Sequence, residues 1–234
     1  MSNLTWYGHS AFKIEADGAS VLIDPYFAPK WGCKAADAGS PDIVLITHDH
    51  GDHVGDAVEI CKKSGAMLGC IVGTAGKIVK EGLPEAQVLN GIGYNIGGTM
   101  THKGIAATMT QAFHSSDSGA PTGFVIRMPD DLVLYHAGDT GIFSTMAELG
   151  SLYKIRVALL PIGGVFTMDA LQAANACKLI GCQLVVPMHW GTFPMLAQST
   201  DDFKRVLAKI APDCHCLDIK PKESCNLTKV LREL

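Results

Sequence analysis

The chain has 234 residues, 47% apolar and 18% charged, with 23 acidic against 19 basic side chains and a formal net charge of −4. That length suffices for one sizeable core, and one domain is the simplest account. The acidic balance, with no Lys/Arg cluster denser than "KRVLAK", argues against a nucleic-acid backbone as partner. The N-terminal "MSNLTWYGHSAFKIE" has neither the basic nor the apolar region of a signal peptide. Runs such as "VALLPIGGVF" are too short and too broken by Pro and Gly to span a bilayer. A cytoplasmic setting without membrane contact is expected.

The chain opens with closely spaced strands, "LTWY", "AFKIEA" and "SVLID", separated by turn residues. "DIVLIT" follows as a buried strand, and "GDAVEICKKSG" has the apolar spacing and terminal glycine of a short helix. "AMLGCIV" and "TAGKIVKEG" add a strand and a helix. The middle is β-rich, through "ATMTQAFH" and a hairpin in "GFVIRMPDDLVLYHAGD" that turns at Pro-Asp-Asp. Strand "VALLPI", helix "TMDALQAANACKLIG", strand "LVVPMH" and helix "TDDFKRVLAKIA" come next, ahead of a final strand pair. Thr167 and Thr200 are expected as N-caps and Gly181 as a helix stop. The pattern predicts two β-rich halves, packed sheet on sheet with helices outside.

Eight cysteines include no Cys-x-x-Cys pair, and several fall on apolar helix faces, so reduced, mostly buried thiols are expected. The "CHC" at 214–216 is read as strand alternation rather than as a metal site.

Residues 46–56, "ITHDHGDHVGD", crowd imidazoles and carboxylates behind an apolar run. A His-x-His-x-Asp-His run arises by chance in roughly one such chain per thousand. On a strand, His48 and His50 project to one side. Gly51 then permits a sharp turn that places Asp52 and His53 at the start of the next helix. Such a bend serves two adjacent ions more readily than one, and a four-coordinate ion needs further ligands. His114, Asp139 and His189 supply them, each following another apolar run. One metal then takes His48, His50 and His114, and the other takes Asp52, His53 and His189, with Asp139 bridging.

These residues carry a resemblance. The HxHxDH run, a later His, a "GD" aspartate and a final His resemble the metallo-β-lactamase superfamily of binuclear metal hydrolases. "YGHSAF", "AFHSS", "YHAGDTG", "LLPIGGVFTM" and "PMHWGTFP" resemble its metal-dependent hydrolase branch, related to L-ascorbate 6-phosphate lactonase and more distantly to N-acylphosphatidylethanolamine phospholipase D. The resemblance implies an α/β fold, an αββα sandwich of two packed mixed sheets, and the same seven ligands. It also implies two divalent metal ions, zinc first, with manganese, iron or nickel also fitting.

The function expected is hydrolysis of a small ester, lactone or phosphorylated metabolite by a hydroxide shared between the metals. A phosphodiesterase or nuclease, or a non-enzymatic metal binder, are the competing readings. Asp52, Asp139 and His9 are the catalytic candidates, with His9 either facing substrate or orienting a ligand. Asp24 is expected to accept a hydrogen bond from a ligand imidazole, and His136 to be a satisfied core histidine. Gly163, Gly164 and Trp190–Thr192 are candidate pocket residues. Ser115 and Ser116 are expected to make polar contacts near the metals. Asp49 and Asp56 drop out as ligands. The expected partner is a small molecule, and homo-oligomerisation is left open.

Overall fold

The structure, a computed structural model, describes residues 1–234. Its first half contains β1 (Asn3–Trp6), β2 (Phe12–Ala16), β3 (Ala19–Ile23), β4 (Ile43–Leu45), α1 (Gly51–Val54), α2 (Ala57–Ser64), β5 (Met67–Gly69) and α3 (Val72–Lys80). The second half contains β6 (Thr99–His102), β7 (Ile105–Gln111), β8 (Thr122–Arg127), β9 (Val133–His136), α4 (Met146–Tyr153), β10 (Val157–Pro161) and α5 (Ala170–Ile180). It ends with β11 (Leu184–Met188), α6 (Asp201–Ile210), β12 (His215–Cys216), β13 (Ser224–Asn226) and α7 (Leu227–Glu233).

The strands form two mixed sheets. One runs β13-β1-β2-β3-β4-β5 and the other β12-β11-β10-β9-β8-β7-β6. Period-two alternation explains how they stack. Val157 and Leu159 of β10 join Phe12 and Ile14 of β2 in the core between the sheets. Ala158 and Leu160, on the opposite face of β10, pack with Ala173, Cys177 and Phe203 of α5 and α6. Leu22 and Val44 likewise pack outward against Ile60, Cys61 and Ile78 of α2 and α3. The central strands are therefore buried on both faces, which is why they read as continuous apolar runs. The result is the expected αββα sandwich.

Strand direction decides where function can sit. In the first sheet β1, β3 and β4 run the same way, because β2 is antiparallel to both of its neighbours and β3 is parallel to β4. In the second sheet β7, β9, β10 and β11 share one direction. Within each sheet, the segments that follow these strands therefore leave by one edge. Hydrogen bonds join the sheets there: the Thr122 amide donates to the Thr47 carbonyl at 2.9 Å, and the His189 amide to the His9 carbonyl at 3.1 Å.

Three local expectations need correction. The two last strands do not pair with each other: β12 extends the second sheet beside β11, and β13 extends the first beside β1. The chain thus crosses from one open sheet edge to the other, and α7 follows, with the Asn226 side chain accepting from the Lys229 amide at 2.8 Å. Thr167 is not the N-cap of α5. Asp169 takes that place, accepting from the Gln172 amide at 2.8 Å, because residues 164–168 form a separate turn. Thr200 does sit at the N-cap of α6, but its hydroxyl donates to Asp218 instead of capping. Gly181 ends α5 in the left-handed conformation, as expected.

All eight cysteines are free thiols and six are buried. Cys182 and Cys214 lie 3.6 Å apart in the outer core, with Cys177 beside them. Cys214 is buried and His215 exposed, in keeping with alternation in this segment. No helix is long and apolar enough to cross a membrane.

Two glycines separate packing from propensity. A Cβ at Gly150 of α4 would lie 2.0 Å from the Ile180 carbonyl oxygen, whereas one at Gly76 of α3 meets nothing within 4 Å. Gly150→Ala should therefore destabilise the fold by about 1–3 kcal/mol through overpacking. Gly76→Ala should stabilise it by about 0.5–1 kcal/mol. Urea denaturation of the two variants beside the parent chain measures both signs.

Candidate metal centre

Each sequence-predicted site residue lies just past a strand at the shared edges. His48, His50, Asp52 and His53 follow β4, His114 follows β7, Asp139 follows β9, His189 follows β11 and His9 follows β1. The fold brings them together in overlapping groups whose ligand atoms all lie within 4.8 Å of one another. His48, His50 and His114 form one, His9, Asp52, His53 and His189 a second, and His48, His53 and Asp139 a third.

Several of these residues hold strained backbone. His9, Asp24 and His189 have φ of 52°, 45° and 57°, a region that side chains other than glycine seldom occupy. All three immediately follow strands or their first turn, where the left-handed step swings the side chain off the strand direction. Such strain clusters at functional sites because the surrounding packing must impose it.

The imidazoles are oriented from behind. Asp24, fully buried, accepts from the Thr47 amide at 2.9 Å, the Thr47 hydroxyl at 2.7 Å and His53 Nδ1 at 2.8 Å. The Thr47 hydroxyl, having given its proton to Asp24, is left to accept from His48 Nδ1 at 3.0 Å. His114 Nδ1 donates to the Phe166 carbonyl at 3.1 Å. His48, His53 and His114 thus carry their protons on Nδ1 and direct Nε2 inward, as metal-bound imidazoles with an outer acceptor do.

At the centre lies Asp139. Its Oδ2 is 2.9 Å from His189 Nε2, 3.3 Å from His53 Nε2 and 3.6 Å from His114 Nε2. One carboxylate oxygen therefore faces members of both three-ligand sets. Burial opposes its ionisation, but His53 and His189 hold the carboxyl well below the usual carboxylate range. Burial likewise opposes charge on His53, yet Asp139 and Asp24 raise it well above an ordinary histidine. His48 goes the other way: burial lowers it to about 3, with His53 adding to the effect.

The residues fit divalent cations. His53 Nε2 and Asp139 Oδ1 are buried without a hydrogen-bond partner. His48 Nε2 and His50 Nδ1 face each other at 2.9 Å. Two such nitrogens need either a proton between them or a cation accepting both lone pairs. Orphaned buried donors and acceptors are rare, and His53 and Asp139 bring two of this chain's into one candidate ligand group with His48.

The remaining candidates divide by position. His9 is fully buried behind Asp52, with Nε2 3.1 Å from Asp52 Oδ2 and Nδ1 3.0 Å from the Thr192 hydroxyl. It does not line the cavity. Burial lowers it to about 4 despite the Asp52 hydrogen bond, so it is neutral and donates through Nε2. His136 is a satisfied core group, donating to the Ser10 carbonyl and accepting from the Gly138 amide. Gly163 sits where a Cβ would lie 2.2 Å from the His189 carbonyl oxygen, so only glycine lets these loops touch.

Asp49, set aside as a ligand on sequence grounds, has a role that was not expected of it. It accepts from the Ser116 hydroxyl at 2.7 Å, the Asp117 amide at 2.9 Å and Lys77 at 3.0 Å. The metal-motif loop is thereby clamped to the loop that follows His114. The motif itself, Asp between two histidines with serines after the later His, was the available signal.

A β-lactamase superfamily domain model matches residues 3–189. The chain is 55% identical to a UPF0173 metal-dependent hydrolase of Nitratidesulfovibrio vulgaris strain DP4, covering 97% of this chain and 96% of that one. It is 43% identical to a UPF0173 metal-dependent hydrolase of Methanopyrus kandleri, covering 94% and 98%. Igni18, a metallo hydrolase from the archaeon Ignicoccus hospitalis, superposes with a TM-score of 0.87 at 39% identity over 96% of this chain and 97% of that one. The chain belongs to the metallo-β-lactamase superfamily, in its UPF0173 group of metal-dependent hydrolases.

Asp49 gives a pH test. Burial opposes its charge, but hydrogen bonds from Ser118, the Asp117 amide, Ser116 and Lys77 hold its carboxyl below the usual range. A depressed carboxylate contributes stability that is complete above the ordinary value of about 4 and lost as pH falls through the folded value. Asp49→Asn should cost about 1–3 kcal/mol at neutral pH, with the Lys77 share small because that ammonium is partly exposed. The gap between variant and parent should shrink below about pH 4. Denaturant midpoints across that range read the difference.

Proposed function

We propose that this chain is a hydrolase whose centre holds two divalent metal ions, one on His48, His50 and His114 and the other on Asp52, His53 and His189. Asp139 is shared between them. The observation that carries this reading is the position of Asp139 Oδ2, within 3.6 Å of ring nitrogens from both sets. A divalent pair bound there supplies Lewis acidity toward a carbonyl or phosphoryl oxygen and makes water acidic enough to react near neutral pH. Zinc suits the His-rich set best, with manganese, iron or nickel as alternatives.

The chain's own residues prepare the reaction. Asp24, Thr47 and the Phe166 carbonyl fix the tautomers of His53, His48 and His114, so these rings need no reorientation during turnover. His9 holds one oxygen of Asp52 and acts as a positioning residue. Asp52 lines the cavity, and with one oxygen held by His9 its other oxygen is the one that would hold the ion. No serine or cysteine nucleophile is required. The reaction is hydrolysis of a small ester, lactone or phosphorylated metabolite.

Elemental analysis of protein purified without chelator should find two divalent ions per chain. Asp139→Ala should abolish hydrolysis of chromogenic esters while the circular dichroism spectrum is retained. Asp24→Asn, which touches no metal, should weaken metal binding about 10–100-fold. Full activity in chelator-stripped protein would overturn the reading.

A further inference from the structure

The cavity over the centre has a floor and a wall of opposite character. It encloses about 400 Å³, with His50, Asp52, His114, Asp139 and His189 below and Phe166, Phe193 and Met195 at the side. Phe166 and Met195 are each 56% exposed and stand together at one cavity, a grouping of apolar surface rather than a scatter.

This apolar wall is built on fixed backbone. The Phe166 carbonyl accepts from His114, and the Met168 amide donates to the Thr140 carbonyl at 2.9 Å, beside Asp139. The Ala197 amide donates to the Gly163 carbonyl at 3.0 Å, which ties the loop carrying Phe166 to the loop carrying Phe193 and Met195. Between the anchors Val165 is held at φ 53°, strained for a β-branched residue, and 74% exposed. Strain and exposure together mark a loop shaped for contact rather than for the core.

Charge on the wall is equally informative. No lysine or arginine lines the cavity. Lys30 reaches the adjoining loop but ends on the Gly191 carbonyl and over the Trp31 ring. Lys77 is committed to Asp49 behind the motif loop. Cations bound at the centre can meet charge developing at the reacting bond. A second anionic group farther out, such as a distal phosphate, meets phenyl and thioether surface with the Ser115 hydroxyl as the one uncharged polar side chain of the lining, and would lose most of its hydration without a cationic partner.

We propose that the substrate is an uncharged ester or lactone bearing an apolar alkyl or aryl arm that packs on Phe166, Phe193 and Met195. This rests on the hydrolase reading above and selects carboxylic esters over phosphorylated metabolites. The flexible thioether of Met195 suits arms of varied shape.

Two measurements on the metal-loaded protein test it. Along p-nitrophenyl esters from acetate to octanoate, kcat/KM should rise about fourfold per methylene until the cavity is filled. Phe166→Ala and Met195→Ala should each flatten that slope. Binding of unhydrolysable ketones from pentanone to nonanone, followed by NMR saturation transfer, should tighten by a similar factor per methylene and weaken in the same variants. Loss of hydrolysis on every ester with the ketone trend intact overturns the hydrolase reading and supports the apolar arm site. Hydrolysis with a flat chain-length profile and no ketone trend overturns the arm site alone. So does a higher kcat/KM for a lactone carrying a distal phosphate than for its uncharged counterpart.

Discussion

Asp24 is a carboxylate without solvent access, set at the end of a strand buried on both faces. Removing such a charge from water costs several kcal/mol unless donors replace the water. Here the donors are the Thr47 amide, the Thr47 hydroxyl and His53 Nδ1. Thr47 precedes the HxHxDH motif and His53 closes it, so one buried acid fixes both ends of the loop that carries four of the seven candidate ligands. His48 is oriented in turn through the same threonine hydroxyl. Take away this anchor and the strand ends still converge, but the rings lose their directions.

The second constraint is topological. Ligands from both halves of the chain meet because strands of common direction in each sheet release their loops at one edge, and amide–carbonyl bonds lock the edges together there. Neither of the proposed ligand sets comes from one half alone. The first sheet gives His48 and His50 and the second gives His114; the first gives Asp52 and His53 and the second His189. The centre is therefore a property of the sandwich rather than of either sheet. The strained turns at His9, Asp24 and His189 are sustained by the packing around them, at an order of 1–3 kcal/mol each.

Much of this was legible in the sequence. His114, Asp139 and His189 stood out because a core has no use for a ligand-type side chain after each of three apolar runs. Asp24 was readable for the same reason. What escaped were contacts made by backbone or by short side chains far apart in the chain. The Phe166 carbonyl under His114 and the Thr192 hydroxyl behind His9 leave no periodicity to detect. The tail misled differently: β12 and β13 are neighbours in sequence, but two open sheet edges were available and each strand took one. At α5, Thr167 and Asp169 are both capping types, and only the turn at Gly164 decides between them. The helix at the C-terminus had its signal in Asn226 and the Leu227–Leu231 spacing, but seven residues of mixed charge obscured it.

The hydrogen bond from the His189 amide to the His9 carbonyl joins the turn after β1 to the turn after β11. A loop-closure penalty of that span is overcome only when both sheets are in place. His189, a candidate ligand, therefore cannot be positioned on a ribosome-bound chain that lacks β11, however complete the His-rich loop near its start. The cavity leaves His50, Asp52 and His114 partly open to solvent, so a small solute reaches the centre without parting the sheets, whereas dismantling its ligand groups requires the sheets to separate.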